Sequence, residues 1–311
     1  MAHVVVTGAA GFIGSHTVDR LLASGHRVTG LDNLRSGRRA NLASALKSPN
    51  FTFHEVDIVA PGDLVSLIGK IKPDAIIHLA ALVSVQESIT NPELNYSLNI
   101  HATHLVAEAA RVHTITRIVF ASSAAIYGDT SDFPIRESTE KKPISPYGAA
   151  KLASEAILLG HGAAFGLTVR CQRYFNVFGP RQDPASPYSG VISIFDRRYR
   201  EGKGVTIYGD GQQTRDFISV HDVARANVLA ATSPALSSGV ANICTGKSTS
   251  LLEVVDVFAR HYPTAPAVLH VAPRTGDIVN SLGHSDHAAT TLGFRAEVSV
   301  AAGLTELLST E

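Results

Sequence analysis

Residues 3 to 15 read HVVVTGAAGFIGS: a β-branched run, glycines at Gly8, Gly11 and Gly14, and the opening of a helix. A strand that runs into a glycine loop and a helix N-terminus lets backbone N–H groups approach a pyrophosphate without interference from Cβ atoms. The helix dipole is then aimed at the anion. Glycine spacing alone also fits a tight strand-to-helix turn. The dinucleotide reading is strengthened by a second strand, RVTGL (27 to 31), followed directly by Asp32, roughly twenty residues beyond the loop, where a carboxylate meets the adenosine ribose hydroxyls. A carboxylate there repels a 2′-phosphate, so NAD is expected rather than NADP. Arg35 is the nearby residue that could accommodate the extra phosphate.

The alternation continues through FTFHEV (51 to 56), DAIIHL (74 to 79), RIVFA (117 to 121) and LTVRCQRY (167 to 174). Continuous apolar strands separated by helices predict a parallel sheet covered on both faces, a Rossmann-type doubly wound α/β fold. Helices are expected over Phe12 to Ser24, Asn91 to Val112 and Pro146 to Phe165. In the second, Leu94, Leu98, Ala102, Leu105, Val106 and Ala109 form one apolar face, and Pro92 suits its first turn. Beyond Phe175 the sequence becomes loop-rich (VFGPRQDPASPYSG, then short strands around VTIYGDGQQ), as in a smaller α/β domain that closes over a ligand. SVHDVARANVLAA (219 to 231) is again amphipathic, with Asp222 a candidate helix N-cap. The expected division is residues 1–176, with 218–246 packing back, for the NAD-binding domain, and 177–217 with 247–311 for the substrate domain.

The 311 residues carry 27 basic and 27 acidic side chains, so no long-range field favours a polyanion or a membrane surface. Arg35, Arg38 and Arg39 form the nearest approach to a basic patch, too small for a nucleic-acid site. Cys171 and Cys244 stand in separate apolar segments, as reduced thiols do in a reducing compartment. With neither the signature of a signal peptide nor a run of apolar residues long enough to span a bilayer, a cytoplasmic protein is expected. His101 and His104 lie at i,i+3, but no third ligand stands at a suitable spacing, and no metal is expected.

Two later segments carry the candidate chemistry. SSAAIYG places Ser122 and Ser123 at the carboxyl end of a strand, where ligands bind in this fold class. SPYGAAK places Tyr147 four residues before Lys151 on one helix face. Such pairs are common on helix surfaces. Combined with a dinucleotide loop, however, they suggest proton exchange between a phenol and a sugar hydroxyl while a nicotinamide exchanges hydride, the neighbouring ammonium lowering the phenol pKa.

In order along nearly the whole chain, TGAAGFIGS, DNLRSG, HLAA (78 to 81), SSAAIYG, SPYGAAK, RYFNVFGPRQ, TRDF and PRTGD resemble the extended short-chain dehydrogenase/reductase family. The resemblance is nearest to the branch that epimerises UDP-glucose at C4. It implies a hydride taken from sugar C4, a 4-keto sugar turned over, and the hydride returned to the other face. Tyr147 would be the acid/base, Lys151 would position the nicotinamide ribose and tune Tyr147, and Ser123 would contact the 4-oxygen. The implied NAD contacts are Gly8, Gly11, Phe12, Ile13, Gly14, Asp32, Asn33, Ser36, Asp57, Ile58, Leu79, Ala80, Ala81, Asn99, Tyr147, Lys151 and Tyr174. The implied UDP-sugar contacts, besides Ser123 and Tyr147, are Asn176, Val191, Arg215, Arg274, Asp277 and Ser281.

Dehydratases of that family carry an acidic pair after the active-site hydroxyl residue. Here Ala124 and Ala125 follow Ser123, so dehydration is not expected. Ser281 matches a position beside the sugar 2-substituent that some epimerases fill with tyrosine, which leaves room for N-acetylated UDP-hexosamines. A UDP-uronic acid epimerase or decarboxylase, and a non-catalytic dinucleotide sensor, are the alternatives. The resemblance also implies a homodimer paired through the helices that begin near Asn91 and Pro146.

Overall fold

The computed structural model describes residues 1–60, 62–183, 190–264, 266–273 and 280–309. In its first half strands and helices alternate: β1 (His3–Thr7), α1 (Phe12–Ala23), β2 (Arg27–Asp32), β3 (Phe51–Glu55), α2 (Asp63–Ile71), β4 (Ala75–His78), α3 (Val85–Thr90), α4 (Pro92–Tyr96), α5 (Ala102–Val112), β5 (Arg117–Ser123), α6 (Pro146–Phe165) and β6 (Thr168–Tyr174). Then follow β7 (Asn176–Phe178), α7 (Val191–Arg200), β8 (Thr206–Tyr208), β9 (Thr214–Arg215), β10 (Phe217–Ser219), α8 (Val220–Thr232), β11 (Gly239–Ile243), β12 (Thr249–Ser250), α9 (Leu251–His261), β13 (Leu269–Val271), β14 (Asn280–Ser281), α10 (Asp286–Leu292) and α11 (Val300–Ser309).

The main sheet runs β3-β2-β1-β4-β5-β6-β11, and every pairing in it is parallel. Residues in β1 and β4 are buried throughout, as expected of strands covered on both faces. One face packs the apolar sides of α1, α8 and α10, including Val18, Leu21, Val223 and Leu292. The other packs α2, α5 and α6, including Ile68, Val106 and Leu158. Strand order reverses between β1 and β4, so the loops after these two strands diverge and open a crevice at their carboxyl ends. The expected doubly wound sheet is present, with β11, read only as part of the returning segment, as its seventh strand.

A second core joins α7, α9, α11 and the short strands β8 and β10 through Phe195, Tyr199, Ile207, Phe217, Phe258 and Leu304. Tyr199 stacks on Phe258, with centroids 5.3 Å apart and planes inclined by 12°. The chain crosses between the two cores twice more than the sequence implied, since Ala288 and Leu292 of α10 pack into the first before α11 returns to the second.

Residues 91–112 do not form one continuous helix. α4 and α5 are separated by a π-helical turn, Ser97–His101. The turn carries Asn99, whose Nδ2 donates to the Leu82 carbonyl at 3.0 Å and to Asn95 Oδ1 at 2.7 Å. A polar side chain buried inside an apolar face is accommodated by this local change of pitch. Asp222 is not an N-cap. Ser219 caps α8 by accepting from the His221 N–H at 3.2 Å. Asp222, within the first turn and buried, instead accepts from the main-chain N–H groups of Glu297 and Val298. A buried carboxylate takes whichever donors lack partners, and here those belong to the C-terminal segment.

Candidate active site

Beneath the crevice lies a cleft of about 570 Å³ lined by the glycine loop, the ends of β2, β4, β5 and β6, and the start of α6. α1 begins at Phe12 with Gly11 as its cap, so its first N–H groups are satisfied by no side chain and face the cleft. A Cβ on Gly14 would come within 1.9 Å of the Gly8 carbonyl oxygen, so the loop closes this tightly only with glycine there. At the end of β2, Asp32 accepts from the N–H groups of Ala10 at 2.9 Å and Leu34 at 2.8 Å. Burial pushes its carboxyl pKa up, and these two donors oppose the rise.

All of the sequence-assigned cofactor positions except Asn99 line this cleft. Asn99 lies on the π-helical turn, and its buried Oδ1 has no hydrogen-bond partner among the described residues. A glycine cradle after β1, a fixed carboxylate after the neighbouring β2 and an orphaned buried acceptor on the bordering helix suit a dinucleotide. The three arginines read as a basic patch are each paired: Arg35 with Glu87 at 2.5 Å, Arg38 with Asp183 at 2.8 Å and Arg39 with Glu55 at 3.9 Å.

On the side of the cleft away from β2, α6 presents Tyr147 and Lys151. Ser145 caps the helix by accepting from the Gly148 N–H at 3.1 Å, Pro146 fills its first turn, and the Tyr147 N–H donates to Ser88 Oγ at 3.1 Å. Ser123 ends β5 and turns the chain by accepting from the Ala125 N–H at 3.1 Å. Burial pushes the Tyr147 phenol pKa up, and the adjacent Ser123 hydroxyl opposes the shift by hydrogen bonding. The expected lowering by Lys151 is therefore not found. Its ammonium donates instead to the Ala121 carbonyl at 2.8 Å, lying 4.8 Å from the Phe120 ring centroid and 5.8 Å from that of Tyr147. Burial lowers the Lys151 pKa to about 7, and Glu155 opposes that shift.

The sequence-assigned sugar contacts of the second core, Asn176, Val191, Arg215 and Ser281, are not part of the cleft wall. Ser281 and Arg215 are register partners on β14 and β9. The Asn176 side chain donates to the Asp216 carbonyl at 3.2 Å, next to Arg215. Arg274 and Asp277 lie outside the described residues.

Several residues escaped the sequence reading. Asp216 is buried and joins the second core to the main sheet by accepting from the N–H groups of Thr245, Gly246 and Gly283 and from the Thr245 hydroxyl. The segment Arg181 to Asp183 also lines the cleft, and its Asp183 meets Arg38 across it. Asp216 sits inside the recognised motif TRDF, and Arg181 and Gln182 close RYFNVFGPRQ with Asp183 just beyond it; other residues of these motifs took the assignment. His161 of α6 lies beside His104, ring centroids 6.3 Å apart, but its Nε2 faces Glu108 at 3.1 Å. Among the described residues no group of three His, Cys, Asp or Glu side chains is arranged to hold a metal.

Residues 4–244 match the family model described as the NAD dependent epimerase/dehydratase family. A UDP-glucose 4-epimerase of Mycolicibacterium smegmatis is 40% identical over 301 residues, covering 96% of this chain and 95% of that protein. Two solved structures superpose closely. A UDP-N-acetylglucosamine 4-epimerase from Methanobrevibacter ruminantium, in complex with UDP-N-acetylmuramic acid, gives a TM-score of 0.93 at 37% identity, over 99% of this chain and 97% of that one. A UDP-glucose 4-epimerase from Thermotoga maritima, with UDP-glucose, gives 0.91 at 35% identity, over 98% and 97%. The switch-point crevice, its glycine cradle and this likeness along the full chain lead to one conclusion: the chain belongs to the NAD-dependent epimerase/dehydratase family.

Proposed function

We propose that this protein is an NAD-dependent UDP-hexose 4-epimerase that interconverts UDP-glucose and UDP-galactose and also accepts their N-acetylated counterparts. The observation that carries the reading is that Ser123, Tyr147 and Lys151 line the same cleft as the glycine cradle, on the side of β5 and opposite Asp32 of β2. Bound NAD supplies reversible two-electron oxidation at a sugar carbinol carbon. Tyr147 takes the O4 proton as C4 is oxidised and returns it once the 4-keto sugar has turned over. Ser123 donates to the same oxygen. Lys151, its pKa lowered to about 7 by burial, is part ammonium near neutral pH, and that positive charge favours the phenolate form of Tyr147. The ribose and nicotinamide ends are held by the cofactor set given above, including Tyr174 and the Oδ1 of Asn99.

Asn176, Val191 and Arg215, with Arg274 and Asp277, are assigned to the nucleotide-sugar diphosphate and uridine, for which guanidinium groups are suited by their bidentate geometry. Ser281, a small side chain opposite Arg215, supports room for a 2-acetamido group. In the proposed division, residues 1–176 with 218–246 and α10 form the cofactor unit, and the rest of 177–217 and 247–311 forms the sugar unit. The protein is assigned to the cytoplasm, a reading supported by two buried free cysteines. No helix among the described residues is long and apolar enough to cross a membrane. A homodimer is supported by exposed apolar side chains on the helices concerned, Tyr96 and Phe165, and by Ile89 on the neighbouring α3.

The test is incubation of the purified protein with UDP-galactose, with and without added NAD, followed by NMR of the sugar. Formation of UDP-glucose is expected. Conversion of UDP-glucuronate in preference to either hexose would overturn the assignment. Conversion of neither N-acetylated UDP-hexosamine would limit it to the unmodified sugars.

A further inference from the structure

The buried charges beneath the site are not used by the chemistry described so far. Glu155 stands one turn after Lys151 and two after Tyr147 on α6, and is 3% exposed. Its Oε1 accepts from Ser122 Oγ at 2.5 Å and from Arg173 Nε at 2.9 Å, while Oε2 accepts from Arg173 Nη2 at 2.8 Å. Ser122 immediately precedes Ser123 on β5, and Arg173 is its register partner on β6. Arg173 Nη1 donates onward to the Tyr127 hydroxyl at 2.8 Å and the Glu137 carbonyl at 3.1 Å, and Tyr127 donates to Asn242 Oδ1 of β11 at 2.7 Å. One carboxylate thus ties α6 to the ends of two central strands, and through Arg173 to a third.

A buried ion pair is a poor device for stability alone, because apolar residues of similar volume often serve as well. It does fix geometry, since a bidentate guanidinium and a hydroxyl meet the carboxylate from only one direction. We infer that Glu155, acting with Arg173 and Ser122, is a positioning residue for the proposed epimerase site. It sets the depth and rotation of α6 so that Tyr147 faces Ser123, and it keeps a negative charge one turn below Lys151. This role rests on the catalytic assignment made above.

The charged and titratable groups around Lys151 agree. Tyr147 and Glu155 face it from α6 and His78 from β4, His78 being held neutral by burial with its pKa lowered to about 3, while Arg173 of β6 stands behind Glu155. Lys141, farther off, lies beside the Glu155–Arg173 pair and donates to the Glu137 carbonyl. Glu155 is thus the only one of these groups whose charge favours the ammonium form of Lys151 from within α6.

The test compares Glu155→Gln, and the paired replacement Glu155→Leu with Arg173→Met, against the parent enzyme. Two readouts are used: steady-state kinetics with UDP-galactose, and NMR titration of the Lys151 side chain in lysine-labelled protein without substrate. For Glu155→Gln, kcat should fall about tenfold to a hundredfold, as for a small misplacement of reacting groups, while KM stays within about threefold. The Lys151 midpoint should move to lower pH, because a favourable charge has gone and Arg173 is left uncompensated. Parent-like kcat with an unmoved midpoint would overturn the inference.

Should Glu155→Gln fail to fold, the charge-balanced apolar pair decides. A parent-like melting temperature with kcat down about tenfold supports positioning, and a parent-like kcat refutes it. Should the parent itself prove inactive on UDP-sugars, the catalytic assignment fails, while the Lys151 midpoint in Glu155→Gln still tests the local claim.

Discussion

Tyr147 is half-buried in the cleft wall, and its phenol pKa is pushed up rather than down. A proton carrier in that state depends on its neighbours for ionisation, which makes the hydroxyl itself indispensable. Tyr147→Phe should therefore reduce kcat by about 10²-fold to 10⁴-fold, the range for loss of a general acid–base group, with little change in melting temperature. Turnover near the parent rate would show that another group moves the proton. His16 carries a different consequence. Burial lowers its pKa to about 4 from an ordinary 6.5, and its Nε2 lies 2.9 Å from the Pro180 carbonyl oxygen. The unfolded chain therefore binds this proton at higher pH than the folded one. Stability is complete above pH about 6.5 and is lost as pH falls toward 4. Thermal melts between pH 7 and 4 should show a steeper fall for the parent than for His16→Asn.

At the scale of an element, the N-terminus of α6 determines whether the site exists. A Cβ on Gly148 would stand 2.6 Å from the Ala125 carbonyl oxygen, so the helix meets the turn after Ser123 this closely only because position 148 has no side chain. Gly148→Ala must push the helix start away from Ser123. It should lower kcat by about tenfold or more, while NAD titrated by fluorescence binds nearly as before. An effect on NAD affinity alone would contradict this account. Ser145→Ala removes the cap without adding bulk and should cost about 1 kcal/mol of stability in denaturant melts, with a smaller kinetic effect. The helix and the spacing of Tyr147 and Lys151 were legible in SPYGAAK, whereas the need for Gly148 was not. Its partner, Ala125, lies on another element, and nothing local marks the contact.

For the whole molecule, the exposed apolar residues of α3, α4 and α6 argue for a partner. Ile89, Tyr96 and Phe165 are 54%, 44% and 51% exposed, and large apolar side chains grouped on neighbouring helices commonly mark an interface. Sedimentation at micromolar concentration should show a dimer, and Phe165→Glu should shift it toward monomer. A parent protein that sediments as a monomer would refute the dimer outright.

By itself, the sequence determined the sheet, the glycine cradle and Asp32, and it marked Ser123, Tyr147 and Lys151 as the side chains to which the chemistry is assigned. Each of these is written in local patterns: continuous apolar runs, glycines at a turn, a carboxylate at a strand end, a tyrosine one helical turn before a lysine. The tertiary structure alone decided what surrounds them. It inserted a π-helical turn to hold Asn99, set β11 beside β6, and joined Asp216 to three main-chain donors. It also reversed the expected shift at Tyr147. Desolvation and long-range hydrogen bonding depend on which atoms exclude water from a side chain, and those atoms come from strands and helices far apart in the chain.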